Sequence, residues 1–277
     1  MPDLMCLYWT SSGVYPGEGD TSRFPFVDRV REASRAGFKG IGIWHTDLED
    51  TARRLGLTEM RRVLDDHGIR FLEVEFLTDW FLDGEKKRLS DRKRELLLEA
   101  STALGAHHVK VGDFDSTPCG LPRLVEAFAE LCAEAARAGA TIGFEPMPSS
   151  MIHALPDCIR MVEEAGAPNG GLCLDISHMT NLGISSEDIR RIPGRRLVCV
   201  ELNDATLPGS PRHDPARVRR FCGEGDLDIR GFIRAVQDAG YRGPWAVEVF
   251  SPELARLPLA QLCERAYVTT AAQFAAG

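Results

Sequence analysis

Short apolar runs alternate with longer amphipathic stretches along the whole chain. The apolar runs predict β-strands, because parallel strands that are buried on both faces appear in a sequence as nearly continuous hydrophobic segments. The stretches between them have apolar residues at helical spacing and predict helices. The predicted strands cover 4–9, 40–44, 69–76, 107–111, 141–145, 171–175, 197–202 and 245–249. The predicted helices lie near 26–36, 50–66, 86–104, 121–138, 155–165, 184–191, 228–239 and 257–275.

A glycine follows the predicted helix and precedes the predicted strand at five places, which are Gly37, Gly68, Gly105, Gly139 and Gly240. Glycine at this position takes the left-handed conformation that ends a helix. Five repeats of one helix–Gly–strand arrangement favour parallel βαβ units. Eight such units predict an α/β fold, a single (β/α)8 TIM barrel in one domain over residues 1–277.

An open, doubly wound sheet is the alternative architecture. It is less favoured because the first predicted strand lacks the GxGxxG nucleotide-binding turn. The segment 205–225 has little periodicity and predicts a long loop, and loops of that length in compact domains are usually functional.

The amino-acid composition and charge of the chain weigh against several classes of protein. The formal net charge is −8 at pH 7, which weighs against a nucleic-acid-binding protein, because such proteins normally carry a basic face. The eight cysteines are scattered and form no CxxC pair, which suits a reducing compartment better than a disulfide scaffold. The N-terminus lacks the pattern of a signal peptide and no apolar run is long enough for a membrane span. We therefore expect a soluble, cytoplasmic protein.

Four predicted strands in the second half of the chain carry a carboxylate at or near their C-terminal end. The strand C-termini of a (β/α)8 barrel converge on one mouth, which forms the catalytic face. Four acids converging there would repel one another unless a cation neutralised them. The simplest inference is a catalytic divalent-metal centre. The four residues are Glu145, Asp175, Glu201 and Glu248.

The residues near these acids suggest how the site is arranged. In the seventh strand Glu201 and Asn203 alternate with apolar residues that should face the helices, so Glu201 and Asn203 should face the barrel axis. A carboxylate in that place needs a metal, Lys110 or an arginine as its partner. His178 follows Asp175 by three residues and is expected to face the same site.

Other candidates follow the earlier strands. His45 follows the second strand, Glu73 and Glu75 lie in the third, and Lys110 lies in the fourth, where it is expected to bind a substrate oxygen or phosphate or to offset the acids. Trp9, Trp44 and Trp80 are candidates for an apolar wall around a sugar. His107 and His108 are adjacent, so only one of them can point inward.

Five motifs in order along the chain resemble the xylose isomerase-like TIM-barrel superfamily, which contains sugar and sugar-phosphate isomerases and epimerases, inosose dehydratase and endonuclease IV. The resemblance implies that Glu145, Asp175 and Glu248 bind one divalent metal and that Glu145 and Glu248 exchange the substrate proton. The motifs are GFEP at 143–146, LDISH at 174–178, ELND at 201–204, CGEGD at 222–226 and GYRGPWAVE at 240–248.

Two departures from the family pattern matter. The family usually has a histidine ligand where this chain has Glu201, so the ligand set becomes all-oxygen, which favours Mn²⁺ or Mg²⁺ over Co²⁺ or Zn²⁺, or else the metal is lost. Endonuclease IV has an Asp-x-His pair where this chain has Arg217 and Arg219, which disfavours DNA repair. These arginines instead suit an anionic or polyhydroxylated small molecule.

The expected function is a divalent-metal-dependent isomerase or epimerase of a sugar, sugar phosphate or related polyol ketone, acting through an enediolate. In this reading Glu145 and Glu248 are catalytic, Glu145, Asp175, Glu201 and Glu248 hold the metal, and the substrate-binding residues are His178, Lys110, His45, Glu75, Asn203 and Arg219. The alternatives are a dehydratase or lyase of an inosose-like or keto-sugar substrate, or a non-catalytic member without metal, with phosphodiester hydrolysis last. The resemblance also implies that a homodimer is possible.

Overall fold

The computed structural model describes residues 1–207 and 219–275 and shows eight parallel strands closed into a barrel. Each strand pairs with the next one in the sequence, and the eighth pairs with the first. The predicted (β/α)8 architecture is therefore confirmed. The strands are β1 (Leu4–Cys6), β2 (Gly40–Trp44), β3 (Phe71–Leu77), β4 (His108–Val111), β5 (Ile142–Phe144), β6 (Gly170–Asp175), β7 (Leu197–Leu202) and β8 (Trp245–Val247).

The helices surround the barrel. They are α1 (Tyr8–Ser11), α2 (Phe26–Ala36), α3 (His45–Leu55), α4 (Leu57–Asp66), α5 (Gly84–Leu104), α6 (Leu121–Arg137), α7 (Leu155–Glu164), α8 (Ile176–Asn181), α9 (Ser186–Arg190), α10 (Ile229–Asp238) and α11 (Leu259–Ala271). Short 3₁₀ turns occur at Gly194–Arg196 and Leu254–Arg256. No helix in the described part of the chain is long and apolar enough to cross a membrane.

The glycine pattern is confirmed as a capping pattern. The five glycines between helix and strand all have φ between 64° and 117°. That region is costly for residues with a Cβ atom, so glycine is the natural choice where a helix must end and turn into a strand.

Most predicted elements differ from the observed ones by a few terminal residues, and two differ in kind. The first strand was predicted to reach residue 9, but it ends at Cys6 because Tyr8–Ser11 forms a helical turn. The predicted helix 50–66 is two helices, with α3 beginning at His45 and α4 following Gly56. Gly56 has φ 78° and ψ 147°, a conformation outside the helical region, so the chain turns there although the apolar spacing continues.

The main hydrophobic core lies between the barrel and the helices. The barrel interior contains a much smaller apolar group, formed by Met5, Leu7, Cys173, Cys199 and Ala246. Most other inward positions described below are polar or charged, which concentrates the ionisable groups at the axis and at the C-terminal mouth.

Candidate active site

A cavity of about 630 Å³ opens at the C-terminal mouth of the barrel. This volume suits a small molecule, since ligand sites in proteins usually measure some hundreds of cubic ångströms. Aromatic side chains form its walls: Trp9, Trp44, Phe76, Phe114 and Phe250. Charged and polar side chains form its floor: Glu75, Lys110, Glu145, His178, Arg219 and Glu248.

The four strand-end acids lie at this floor or directly behind it: Glu145 and Glu248 line the cavity, whereas Asp175 and Glu201 do not. Glu145 directly follows β5, Asp175 ends β6, Glu201 lies in β7 and Glu248 directly follows β8. All four are buried, with at most 4% of their surface exposed. Asp175 and Glu201 are direct neighbours in the pairing of β6 with β7. The structure therefore brings together the four acids that the sequence singled out.

Lys110 lies between two of these acids and two acids of β3, and is itself 1% exposed. Its Nζ lies 2.9 Å from Glu201 Oε1 and 3.3 Å from Glu248 Oε1. The same atom lies 2.8 Å from Glu75 Oε2 and 3.1 Å from Glu73 Oε1. Burial lowers the pKa of Lys110, but the four carboxylates outweigh that effect and raise the pKa well above its ordinary value. Lys110 is therefore an ammonium ion that neutralises the floor.

Arg219 is the second buried cation of the floor. Its guanidinium donates to Glu248 through Nη1, and its Nη2 lies 3.2 Å from Asp175 Oδ2. The Nη2 group also contacts His178 Nε2 at 3.2 Å, and the guanidinium carbon lies 4.5 Å from the centre of the Phe250 ring. Because a guanidinium only donates, this contact leaves His178 Nε2 as the acceptor. Arg217, the other arginine predicted near the site, lies outside the described residues.

Asp175 is held in one orientation by three donors. Its Oδ1 accepts from the backbone N–H of His178 at 3.0 Å and caps helix α8. Its Oδ2 accepts from Asn203 Nδ2 at 2.7 Å, besides its contact with Arg219. Burial raises the pKa of Asp175, but Arg219, His178 and Asn203 outweigh that effect and leave the pKa below its usual value.

Glu145 and Glu201 are less well compensated. Among the described residues, the basic group in contact with Glu145 is His178, whose Nε2 lies 3.5 Å from Oε1. Glu201 Oε2 is buried and has no hydrogen-bond partner among the described residues. Burial raises the pKa of both carboxyl groups well above the usual range, despite the nearby Lys110.

These acids fit a divalent cation. Glu145, Asp175 and Glu201 each place one oxygen within 4.8 Å of the oxygens of the other two. In the described part of the chain, six buried carboxylates surround the axis, whereas the permanent cations that contact them are Lys110 and Arg219. Carboxyl groups therefore outnumber the permanent cations that contact them, and the unpartnered Glu201 oxygen is the kind of donor that a metal ion would satisfy.

The remaining predicted site residues fall into two groups. Lys110, Glu75, His178 and Arg219 line the cavity. His45 and Asn203 are not among its lining residues. Asn203 lies behind Asp175 and bonds to it and to Ser177.

His45 begins α3, next to Trp44, and its Nδ1 accepts from the backbone N–H of Phe76 at 3.4 Å. Burial lowers the pKa of His45 to about 4, so the imidazole is neutral.

The predicted aromatic wall is partly wrong. Trp9 and Trp44 line the cavity, but Trp80 is buried in the core, where its ring packs against Phe81, Phe128 and Phe144. Trp80 lies after the end of β3, and its side chain points outward to helix α6 and not into the barrel mouth.

Sequence reasoning missed several wall residues. Phe114 and Phe250 follow β4 and β8, and Asp20 belongs to the segment after α1 that also borders the cavity. Phe250 could have been found, because it lies two residues after Glu248 at a strand end. The segment around Asp20 carries no pattern that distinguishes it from an ordinary loop.

A family model described as "Xylose isomerase-like TIM barrel" matches residues 30–267. Relatives with assigned activities share less than a third of the aligned residues with this chain. The 3-dehydroshikimate dehydratase of Pseudomonas aeruginosa is 28% identical over 235 residues, which are 81% of this chain and 36% of that protein. The inosose isomerase of Bacillus licheniformis is 26% identical over 149 residues, 53% of each chain.

The chain thus spans about a third and about a half of the lengths of these two relatives. Among solved structures, the IolI protein with a bound zinc atom superposes with a TM-score of 0.84 at 20% identity, over 99% of this chain and 98% of that one. At this identity the likeness shows a shared fold. Together with the family model, which covers most of the sequence, it places the chain in the xylose isomerase-like TIM barrel family.

Proposed function

We propose that the chain is a divalent-metal-dependent isomerase or epimerase of a sugar, a sugar phosphate or a related polyol ketone, and that it acts through an enediolate. The observation that carries this proposal is the convergence of four buried acids at the barrel mouth, where Glu145 and Glu248 line an aromatic-walled cavity and Asp175 and Glu201 lie directly behind them. The relatives with assigned activities are enzymes, which agrees with the prediction of an enzyme.

In this proposal the four strand-end acids hold the metal. Their oxygen donors favour Mn²⁺ or Mg²⁺, whereas the fold relative IolI was solved with zinc. A bound divalent ion supplies Lewis-acid polarisation of a carbonyl oxygen.

Glu145 and Glu248 have different surroundings, which suits one of them to act as the general base and the other as the general acid. Glu248 accepts hydrogen bonds from Arg219 and Lys110. Among the described residues, Glu145 contacts His178, at 3.5 Å, and burial raises the pKa of its carboxyl group well above the usual range. We assign Glu248 to remove a proton from the carbon next to the substrate carbonyl, and Glu145 to return a proton at its own oxygen.

His178 and Arg219 are assigned to bind substrate oxygens, since both line the cavity and touch each other at the floor. Lys110 and Glu75 form the floor beneath them. Trp9, Trp44 and Phe250 border the space where the apolar C–H face of a sugar would rest.

The test measures exchange of the proton next to the carbonyl with solvent. Ketohexoses, inososes and 3-dehydroshikimate are incubated in D₂O with the Mn²⁺-loaded protein and followed by proton NMR. Glu145→Gln and Glu248→Gln should each lower the exchange rate by two to four orders of magnitude, about the contribution of one general acid or base. Glu187→Gln, on the exposed surface of α9, is the control and should exchange at the wild-type rate. Wild-type exchange in both floor variants would contradict the assignment.

A second candidate is a dehydratase or lyase on a cyclic or open-chain keto-polyol. The observation that favours it is the similarity to 3-dehydroshikimate dehydratases, which extends over 81% of the chain in the Pseudomonas aeruginosa protein. Both reactions begin by removing the proton next to a carbonyl, but the dehydratase then expels a β-hydroxyl group. A conjugated product with new ultraviolet absorbance identifies the dehydratase, whereas exchange without that absorbance identifies the isomerase or epimerase.

A further inference from the structure

Below the carboxylate floor, the barrel interior contains a second group of polar side chains. Its members lie two residues before the floor residues of the same strands, and therefore point to the same side of each strand. His108 precedes Lys110, Cys173 precedes Asp175, Cys199 precedes Glu201 and Glu73 precedes Glu75. All four are 0–1% exposed. The mechanism proposed above uses none of them.

Three of these side chains have the geometry of a ligand set. One ring nitrogen of His108 and the sulfur atoms of Cys173 and Cys199 all lie within 4.8 Å of one another. Two sulfur ligands on one tetrahedral zinc ion are about 3.8 Å apart, given bonds of about 2.3 Å. A shift of about an ångström or less would therefore bring these atoms to ligand spacing.

The strand register and a glycine create this proximity. Cys173 and Cys199 are direct neighbours in the pairing of β6 with β7. On β5, between His108 and Cys173, a Cβ atom on Gly143 would lie 2.3 Å from the Cys173 sulfur. The absence of a side chain at Gly143 thus lets the sulfur turn toward the strand that carries His108.

A second, independent observation points to an ion. His108 Nε2 pairs with Glu73 Oε2 at 2.6 Å, whereas the buried His108 Nδ1 forms no hydrogen bond of good geometry among the described residues, although the ring interacts with the Cys173 thiol. A buried ring nitrogen without a good hydrogen bond is costly. Histidines that bind zinc typically donate their other N–H to a carboxylate, which fixes the ring and leaves one nitrogen free for the metal.

We propose that His108, Cys173 and Cys199 form a buried zinc site, in which Glu73 acts as the positioning residue for His108. Zn²⁺ replaces the two thiol protons, which leave to solvent, and the two thiolates balance its charge. One nitrogen and two sulfur donors select Zn²⁺ over Mg²⁺ and Mn²⁺. This site is distinct from the all-oxygen floor above it, so the barrel would carry two ions of different chemical preference. The inference goes beyond the proposed function and does not depend on it.

The first test needs no substitution. The whole protein is produced in zinc-supplemented medium, dialysed against EDTA and examined for zinc content and by zinc X-ray absorption spectroscopy. We expect about one chelator-resistant zinc per chain with sulfur neighbours at about 2.3 Å, because the ligands are sealed from solvent. The carboxylate floor has no sulfur donor, so a zinc ion there gives only an oxygen and nitrogen shell. Absence of retained zinc, or retained zinc without sulfur neighbours, would overturn the proposal.

The second test uses matched cysteine variants. Cys173→Ala and Cys199→Ala should each lose the retained zinc, whereas Cys158→Ala, which removes an equally buried thiol on α7 outside the barrel, should keep it. Zinc retention at the wild-type level in both barrel variants would overturn the proposal, as would a Cys173–Cys199 disulfide in the purified wild-type protein by mass spectrometry. Should either barrel variant fail to fold, the spectrum of the wild-type protein decides alone.

Discussion

Lys110 has four carboxylates within 3.3 Å of its ammonium nitrogen, and the lysine and its partners are all buried. Such ion pairs are weak in water, but burial removes most of the solvent screening of their charges. Removing one partner then leaves the others as uncompensated buried charges. Lys110 therefore reduces the repulsion among the acids at the barrel mouth even when no metal is bound.

Lys110→Met should destabilise the protein strongly, because it keeps the volume of the side chain and leaves the surrounding acids without their shared cation. We expect a loss of about 3–5 kcal/mol in the free energy of unfolding, the usual cost of breaking a buried ion pair by removing one partner. Urea denaturation of the metal-free protein measures it.

Two further variants show whether charge is the cause. Glu75→Gln, added to Lys110→Met, should restore part of the lost stability, because it removes one of the acids left without a partner. Lys86→Met, on the surface of α5, should change stability little, because the ion pairs of that lysine are exposed to solvent. No recovery in the double variant would mean that the loss comes from packing.

At the residue scale, strand alternation was enough to predict that Glu201 faces the barrel axis. The same pattern predicted that Asn203 faces the axis. It did not predict the role of Asn203, whose amide donates to Asp175 and does not line the cavity. Nor did it choose between a metal, Lys110 and an arginine as the partner of Glu201. That choice depends on the distance between side chains on β4 and β7, which no local pattern contains.

At the scale of elements, the glycines between helices and strands were the most informative positions. Their positive φ follows from local steric rules, so the sequence predicted them correctly. The break between α3 and α4 was missed because apolar positions continue at helical spacing on both sides of Gly56. A glycine within a helical pattern is often tolerated, and only the surrounding fold decides whether the chain turns there.

Gly56 and Gly105 allow a matched test of this difference. Gly105 has φ 64° and ψ 48°, a left-handed conformation that asparagine tolerates, whereas Gly56, with ψ 147°, lies close to a region that is essentially restricted to glycine. A Cβ atom would meet nothing within 4 Å at Gly56 and only Arg61 Nη1, at 3.5 Å, at Gly105. Crowding is therefore small at both positions.

We expect Gly56→Asn to cost about 1–3 kcal/mol and Gly105→Asn less than about 1 kcal/mol, measured by guanidinium denaturation. Equal costs at the two positions would show that backbone conformation is not what separates them.

For the whole molecule, the repeat of strand, helix and glycine was enough to predict the barrel, because a right-handed series of eight parallel units closes on itself. It was not enough to predict the walls of the cavity, which come from side chains far apart in the sequence. The single domain over 1–277, the cytoplasmic location and the homodimer stay predictions.

Metal binding should increase the stability of the whole barrel, because the four acids lie in or directly after four different strands and come together only in the folded protein. For EDTA-treated protein, Mn²⁺ at a hundred times its dissociation constant should raise the free energy of unfolding by about 2.7 kcal/mol. Asp175→Asn should remove most of this gain, since it takes the charge from one ligand while keeping its shape.

Glu201→His tests the identity of the ion. The substitution replaces an oxygen donor with nitrogen, so stabilisation by Zn²⁺ should increase relative to stabilisation by Mn²⁺ by at least tenfold in apparent affinity. Glu253→His, at an exposed position beyond β8, is the control and should leave the Zn²⁺ to Mn²⁺ ratio unchanged. If neither ion changes the melting temperature of the wild-type protein, the floor is not a metal site, and Lys110 and Arg219 are the cations that neutralise it. If the wild type responds and the ratio does not change in Glu201→His, then Glu201 is bound to Lys110 and is not a ligand.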